Sequence, residues 1–180
     1  MNMEKTYEIQ REKYKKYIDD HISNVQKCFA FYGEALCSRL KIDRYRLADI
    51  IRDHDQSKYS EEEFEGYRIW FYSTDEEEKD KINEGGYLKK KFDVAWLHHL
   101  RNNSHHPEFW INRNADNSYV CNTMDRYSIA EMLLDWAGMG IVKDDTAYEY
   151  YNNIGVKPFN KETIEIIDSC INIFKEKCYY

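Results

Sequence analysis

The sequence predicts an all-α protein. Glycine and proline are scarce, at 7 and 2 residues in 180, so few positions break or turn a helix. Apolar residues recur three and four positions apart, the spacing that lines one face of a helix. Capping residues stand before several of those stretches.

The stretch from about Glu4 to Leu40 reads as one or two helices, with Tyr14, Ile18, His21, Ile22 and Val25 along one side. Asp43 is a good N-cap for "RYRLADIIRD", whose buried positions are expected at Tyr45, Leu47, Ile50 and Ile51. Ser60 followed by Glu63 has the spacing of a capping box, so "EEEFEGYRIWFY" is expected to open a third helix. The glutamates Glu61, Glu62 and Glu63 then read as charge favourable to a helix N-terminus, with no catalytic role. "STDEEEKDKINEGGY" is a charged surface segment. A helix resumes near Leu88, carries "KKKFDVAWLHHLRNN" and stops before Pro107. "NRNADNSYVCNT" reads as a polar loop. Thr123 or Asp125 caps "RYSIAEMLLDWAG", in which Glu131 and Asp135 are four apart and share a face. Asn160 caps a last helix with Ile164, Ile167, Ile171 and Phe174 on one stripe. The chain is long enough for one domain over 1–180, with a core at about 15–140 and a C-terminal helix at about 160–178 packing on it.

Composition excludes several classes of function. A net charge of -7 and a pI near 5.4 argue against holding nucleic acid over a broad basic surface. No run approaches the roughly 18 apolar residues of a membrane span, and "MNMEKTYEIQREKYKKYIDD" lacks the apolar centre of a secretory signal. A cytoplasmic protein is expected. The five cysteines are scattered and form no C-x-x-C pair, so neither a disulfide framework nor a thiolate zinc site is indicated.

The chemistry-bearing residues are histidines and carboxylates. Four of the six histidines stand in "HHLRNNSHHPEFW", at His98, His99, His105 and His106. His21 comes from the first helix, His54 and Asp55 from the end of the second, and Asp135 from a later one. Imidazole and carboxylate together suit Zn, Fe, Mn and Ni and leave positions open for water. Neighbours on a helix diverge by about 100°, so His54 and Asp55 serve one site only if the helix end is aimed at it. A carboxylate between two cations can bridge them, and Asp55 is the natural bridge.

The order His21, His54-Asp55, Asp135 resembles the H…HD…D signature of the HD-domain superfamily, which are all-helical metal-dependent phosphohydrolases. "HDQSK" is similar to the "HDxGK" of the HD-GYP phosphodiesterase branch, with Ser57 in place of glycine, and "HHPE" resembles that branch's "HHE" element. The "GYP" segment is missing, so cyclic dinucleotide specificity does not carry over. The chain also resembles uncharacterised bacterial and phage proteins of HD type. The resemblance covers about 21–136 and implies an HD-domain-like helical bundle.

It further implies that His21, His54, Asp55 and Asp135 hold a first divalent metal. His99 in preference to His98, with one or both of His105 and His106, would hold a second beside Asp55. Mn, Fe, Co, Ni, Zn and Mg are the candidate ions. The catalytic residues are expected to be Asp55 and Lys58, the lysine facing substrate oxygens and neutralising charge on a phosphoryl group. Glu131 is expected to orient a ligand histidine through its other ring nitrogen. Arg101, Asn102, Asn103 and Arg126 are candidate clamps for a nucleotide or another small phosphate ester. Two rival readings stay open: a di-iron enzyme that cleaves carbon bonds with dioxygen, and a non-catalytic scaffold that binds a nucleotide or a partner.

Overall fold

The computed structural model describes residues 3–75, 77–78 and 86–178 and is all-α apart from one two-stranded hairpin. Most of the charged excursion at 73–87 lies outside the described residues. Seven α-helices are described: α1 Met3–Leu40, α2 Arg44–Arg52, α3 Phe64–Phe71, α4 Tyr87–Asn102, α5 Arg126–Lys143, α6 Ala147–Asn153 and α7 Lys161–Cys170. Short 3-10 turns cover Gln56–Tyr59, Pro107–Trp110 and Ile171–Phe174. No described helix is long and apolar enough to cross a membrane.

The contacts divide the chain into two compact units, Met1–Asp20 with Asp55–Asn102, and His21–His54 with Asn103–Tyr180. α1 contributes to both.

In the first unit α3 packs on α4, and Tyr14, Ile18, Phe64, Tyr67, Ile69, Leu88 and Ala95 are buried. Glycine at 66 makes the close approach, because a Cβ there would stand 2.5 Å from Ala95 Cβ and 2.7 Å from the Lys91 carbonyl oxygen. Arg68 is 1% exposed, and its charge is met by a bidentate pair with Glu77 at 2.6 and 2.8 Å and by Glu65 at 3.1 Å.

The second unit is built on α5, whose Ile129, Ala130, Met132, Leu133 and Leu134 are all buried. Around it lie Val25, Cys28, Tyr32 and Leu36 of α1, Leu47 and Ile51 of α2, Tyr151 of α6, and Ile167, Ile171 and Phe174 at the C-terminal end. The backbone of α1 and α5 nearly touches at Gly138, where a Cβ would lie 2.8 Å from Val25 Cγ2 and 3.1 Å from the Val25 amide nitrogen.

Helix starts follow the caps. Asp43 accepts from the Arg46 amide, Asp125 rather than Thr123 caps α5 by accepting from Tyr127 and Ser128, and Asn160 accepts from Thr163. Thr146 and Glu149 form a capping box at α6, a helix the sequence reading left unassigned although Thr-x-x-Glu is the signature of that cap.

Four expectations are corrected. Tyr45 is 81% exposed and Ile50 only half-buried, because a helix as short as α2 buries the single i, i+4 pair Leu47 and Ile51. Ser60 and Glu63 do not form the expected capping box; the Glu63 side chain turns inward, and α3 begins only at Phe64 with no side-chain cap. The polar loop is a hairpin, Ile111–Arg113 antiparallel to Tyr119–Cys121, closed by a turn in which Asn117 takes a left-handed conformation that asparagine tolerates. The last helix ends at Cys170 and continues as a 3-10 turn.

The two glycine contacts generate a prediction. Alanine in a helix gains about 0.5–1 kcal/mol over glycine, but overpacking against an immovable backbone costs about 1–3 kcal/mol. Gly66→Ala and Gly138→Ala are each expected to lower the urea midpoint of unfolding; a higher midpoint would show that the helices can separate freely.

Candidate metal centre

The second unit gathers four of the expected residues around one buried carboxylate. Glu131 and Asp135, one turn apart on α5, point to the same side. Glu131 Oε1 accepts from His54 Nδ1 at 2.9 Å and lies 3.2 Å from His105 Nδ1. With Nδ1 of both rings turned to Glu131, Nε2 is the atom each ring has left to offer a metal. His54 Nε2 lies 3.3 Å from His21 Nε2, and Asp135 Oδ1 lies 3.1 Å from His21 Nε2 and 3.7 Å from His54 Nε2. The rings of His54 and His105 are 4.7 Å apart, and His54, His105 and Asp135 each offer a ligand atom within 4.8 Å of the others.

Each side chain has a local reason to be there. His21 is one turn before Val25 and Asp135 one turn before Gly138, so the close helix approach at Val25 and Gly138 brings their side chains together. The 103–106 turn, closed by the His106 amide on the Asn103 carbonyl at 3.1 Å, carries His105. Trp110 Nε1 donates to the Ser104 carbonyl at 2.7 Å, and Ser128 of α5 donates to Ser104 Oγ at 2.8 Å, which ties that turn to the helix bearing Glu131. His106 is half-buried, with its ring 4.3 Å from that of His105.

The electrostatics suit a cation. Burial alone would raise the pKa of Asp135, yet hydrogen bonds and charge from His21 and His54 outweigh it and hold the group well below the usual range. Glu131 behaves alike: burial raises it, His105 and His54 lower it further, and it stays ionised. Carboxylate oxygens and imidazole nitrogens here converge on one another, and a divalent ion could take the place of the imidazole protons that otherwise meet the carboxylates. That is the donor chemistry of a transition-metal site, so the residues present fit a divalent ion.

The first unit repeats the device. Glu63 is fully buried; its Oε1 lies 2.8 Å from His98 Nδ1, its Oε2 lies 2.9 Å from His99 Nδ1, and Ser57 Oγ donates to Oε2 at 3.1 Å. Burial raises its pKa, and hydrogen bonds from His99 and His98 bring it below the ordinary value. Glu63 is three residues before Gly66, and His98 and His99 are three and four after Ala95, so the α3–α4 contact sets this register too. His99 is 1% exposed and points Nε2 at Asp55 Oδ1, 3.4 Å away, whereas the His98 side chain is 34% exposed. Asp55 Oδ2 pairs with Lys58 Nζ at 2.6 Å. Asp55, just past α2, takes a left-handed conformation, φ 57°.

Of the expected clamps, Asn103 opens the turn that carries His105, and Arg126 and Asn102 are engaged by backbone carbonyls. Arg126 donates to the Leu40 carbonyl at 2.9 Å and so caps the C-terminus of α1. Asn102 caps back onto the His98 carbonyl at 2.8 Å, and Arg101 is exposed at the end of α4. Glu63 is the residue missed by sequence reasoning. Its signal was its place four before Tyr67, on the buried side of α3, which the run of three glutamates concealed.

A depressed pKa stabilises the folded state above the unfolded value, about 4.3 for glutamate, and that contribution is lost as pH falls through the folded value. Glu131→Gln is therefore expected to cost about 1–3 kcal/mol at pH 7, with the gap to wild type narrowing as the pH is taken below about 4.3. Urea unfolding of metal-free protein at pH 7 and below that value measures it; an equal gap at both would mean that Glu131 is not ionised in the fold.

No curated protein and no solved structure matches the chain. A model for a family of unknown function, DUF5662, matches residues 10–173, nearly the whole length. The chain, with its two histidine–glutamate clusters, belongs to the DUF5662 family.

Proposed function

We propose that the protein is a metal-dependent phosphohydrolase acting on a nucleotide or another small phosphate ester. The observation that carries this reading is the convergence of His54, His105 and Asp135 within 4.8 Å, with Glu131 on Nδ1 of both imidazoles. The resemblance of the His21, His54-Asp55, Asp135 order to the HD signature supports the same class.

His21, His54, His105 and Asp135 are the residues that would hold the cation. Glu131 fixes the tautomer and orientation of two of the rings, and its negative charge raises their basicity. Three imidazoles with one carboxylate suit Mn, Fe, Co, Ni or Zn better than Mg, which prefers oxygen donors. When bound, such an ion supplies Lewis acidity toward a phosphoryl oxygen and brings the pKa of water toward neutrality. In the first unit Asp55 and His99 form a second donor pair, oriented by Lys58 and Glu63 respectively. Lys58 is the cationic group of that cluster and the one suited to meeting charge on a phosphoryl oxygen.

The imidazole-rich donor set also suits iron, which favours the dioxygen-dependent reading as the second choice. Oxygen decides between them, since hydrolysis proceeds undiminished under argon.

Protein purified without chelators is expected to carry at least one transition-metal ion per chain by elemental analysis. Asp135→Asn, nearly isosteric, is expected to lower that occupancy and to reduce hydrolysis of a nucleotide and phosphodiester panel more than about 100-fold, beyond the about 10–100-fold cost of losing an outer partner. Metal-free wild-type protein that also fails to take up added Mn, Co or Zn would sink the reading.

A further inference from the structure

Of the four residues that would hold the cation, His105 has the least regular backbone beneath it. His21 and Asp135 stand within α1 and α5, and His54 follows closely on the end of α2. His105 lies in the turn at 103–106, just before the 3-10 turn Pro107–Trp110. Its ring is nevertheless buried, at 2% exposure, and sets Nδ1 3.2 Å from Glu131 Oε1. Groups that act together at a site must be held to about 0.5 Å of their working geometry, and loops do this less well than helices unless outside contacts lock them.

Two side chains lock this turn. Trp110 Nε1 donates to the Ser104 carbonyl at 2.7 Å, and that carbonyl belongs to the peptide group leading into His105. Ser104 Oγ and Ser128 Oγ share a hydrogen bond at 2.8 Å, and Ser128, 3% exposed, also donates to Asp125 Oδ2 at 2.8 Å. Trp110 is itself fixed at both ends. Its side chain packs on the core of the second unit, and its carbonyl accepts from the Asn122 amide at 2.9 Å, at the base of the hairpin. The indole nitrogen is a donor with no ligating lone pair, so its effect on the site passes through the peptide it holds.

We infer that Trp110 is a positioning residue for His105, holding the 104–105 peptide so that the imidazole meets Glu131 and presents Nε2 to a cation, with Ser128 as its counterpart on α5. The bearing on a cation rests on the metal-centre reading; the hold on the ring does not.

Trp110→Phe keeps an aromatic ring and removes the donor, and Ser128→Ala removes the second tie. Titration of the full chain with cobalt(II), followed by visible absorption, is expected to show binding about 10–100-fold weaker in Trp110→Phe, the usual cost of losing a partner that orients a ligand, together with altered bands. Ser128→Ala is expected to change both in the same direction. In metal-free protein the ring-nitrogen chemical shifts of His105 are expected to move in both variants by more than those of His54, which shares Glu131. Lowered stability alone would move neither set, because the folded molecules would be unchanged. Wild-type cobalt affinity and bands in both variants overturn the inference, and so do His105 shifts that move no more than those of His54. If wild-type protein takes up no cobalt, the metal reading falls and the His105 shifts alone decide whether Trp110 positions the ring.

Discussion

A single carboxylate oxygen organises the second unit. Glu131 Oε1 meets Nδ1 of both His54 and His105, and it does so from a helix whose neighbouring residues, Ser128 to Leu134, are all buried. An ionised carboxylate in such surroundings is tolerable only while its hydrogen bonds are made. The two imidazoles therefore hold the helix as much as the helix holds them. The same bonds occupy Nδ1 of both rings and leave Nε2 as the atom each can offer, that of His54 facing His21 and Asp135. Fold and chemistry share the bond, so neither is adjustable alone.

Glu63 imposes the same condition on the first unit, with His98 and His99 as its partners. A glycine lies one turn after Glu63 in the first unit and one turn after Asp135 in the second, and there the helix backbones approach closely enough for short side chains to meet. Aspartate, glutamate and histidine reach only a few bonds from the backbone. Hydrogen bonds of about 3 Å between such side chains on different helices need the helices packed at the near limit of contact, and larger residues at 66 and 138 would forbid it.

The parts of the site legible in the sequence were those governed by periodicity and spacing. His21 fell on the apolar stripe of α1, Glu131 and Asp135 fell four apart on one face, and the ordered His21, His54-Asp55, Asp135 set could be read without any three-dimensional knowledge. Asp43, Asp125 and Asn160 marked helix starts because capping is a local interaction. His99 is the buried member of its pair and His98 the more exposed one, a difference of facing that adjacent positions on the helix did not decide in the sequence. Glu63 was hidden because burial of a charge depends on partners thirty-five residues away, while Glu61 and Glu62 beside it are ordinary surface acids. The hairpin was hidden because its strands are three residues each and largely exposed, so no apolar alternation announces them.

The left-handed backbone at Asp55 constrains how this position can drift. Most residues with a Cβ resist that conformation, while asparagine and aspartate tolerate it through their short polar side chains. Codon 55 is thus filtered twice, once by backbone shape and once by charge. Asparagine passes the first filter and fails the second; glutamate keeps the charge and loses the shape. On the proposed reading, a chain that had lost the metal chemistry would be expected to carry asparagine or glycine there, the residues that keep the backbone shape without the charge.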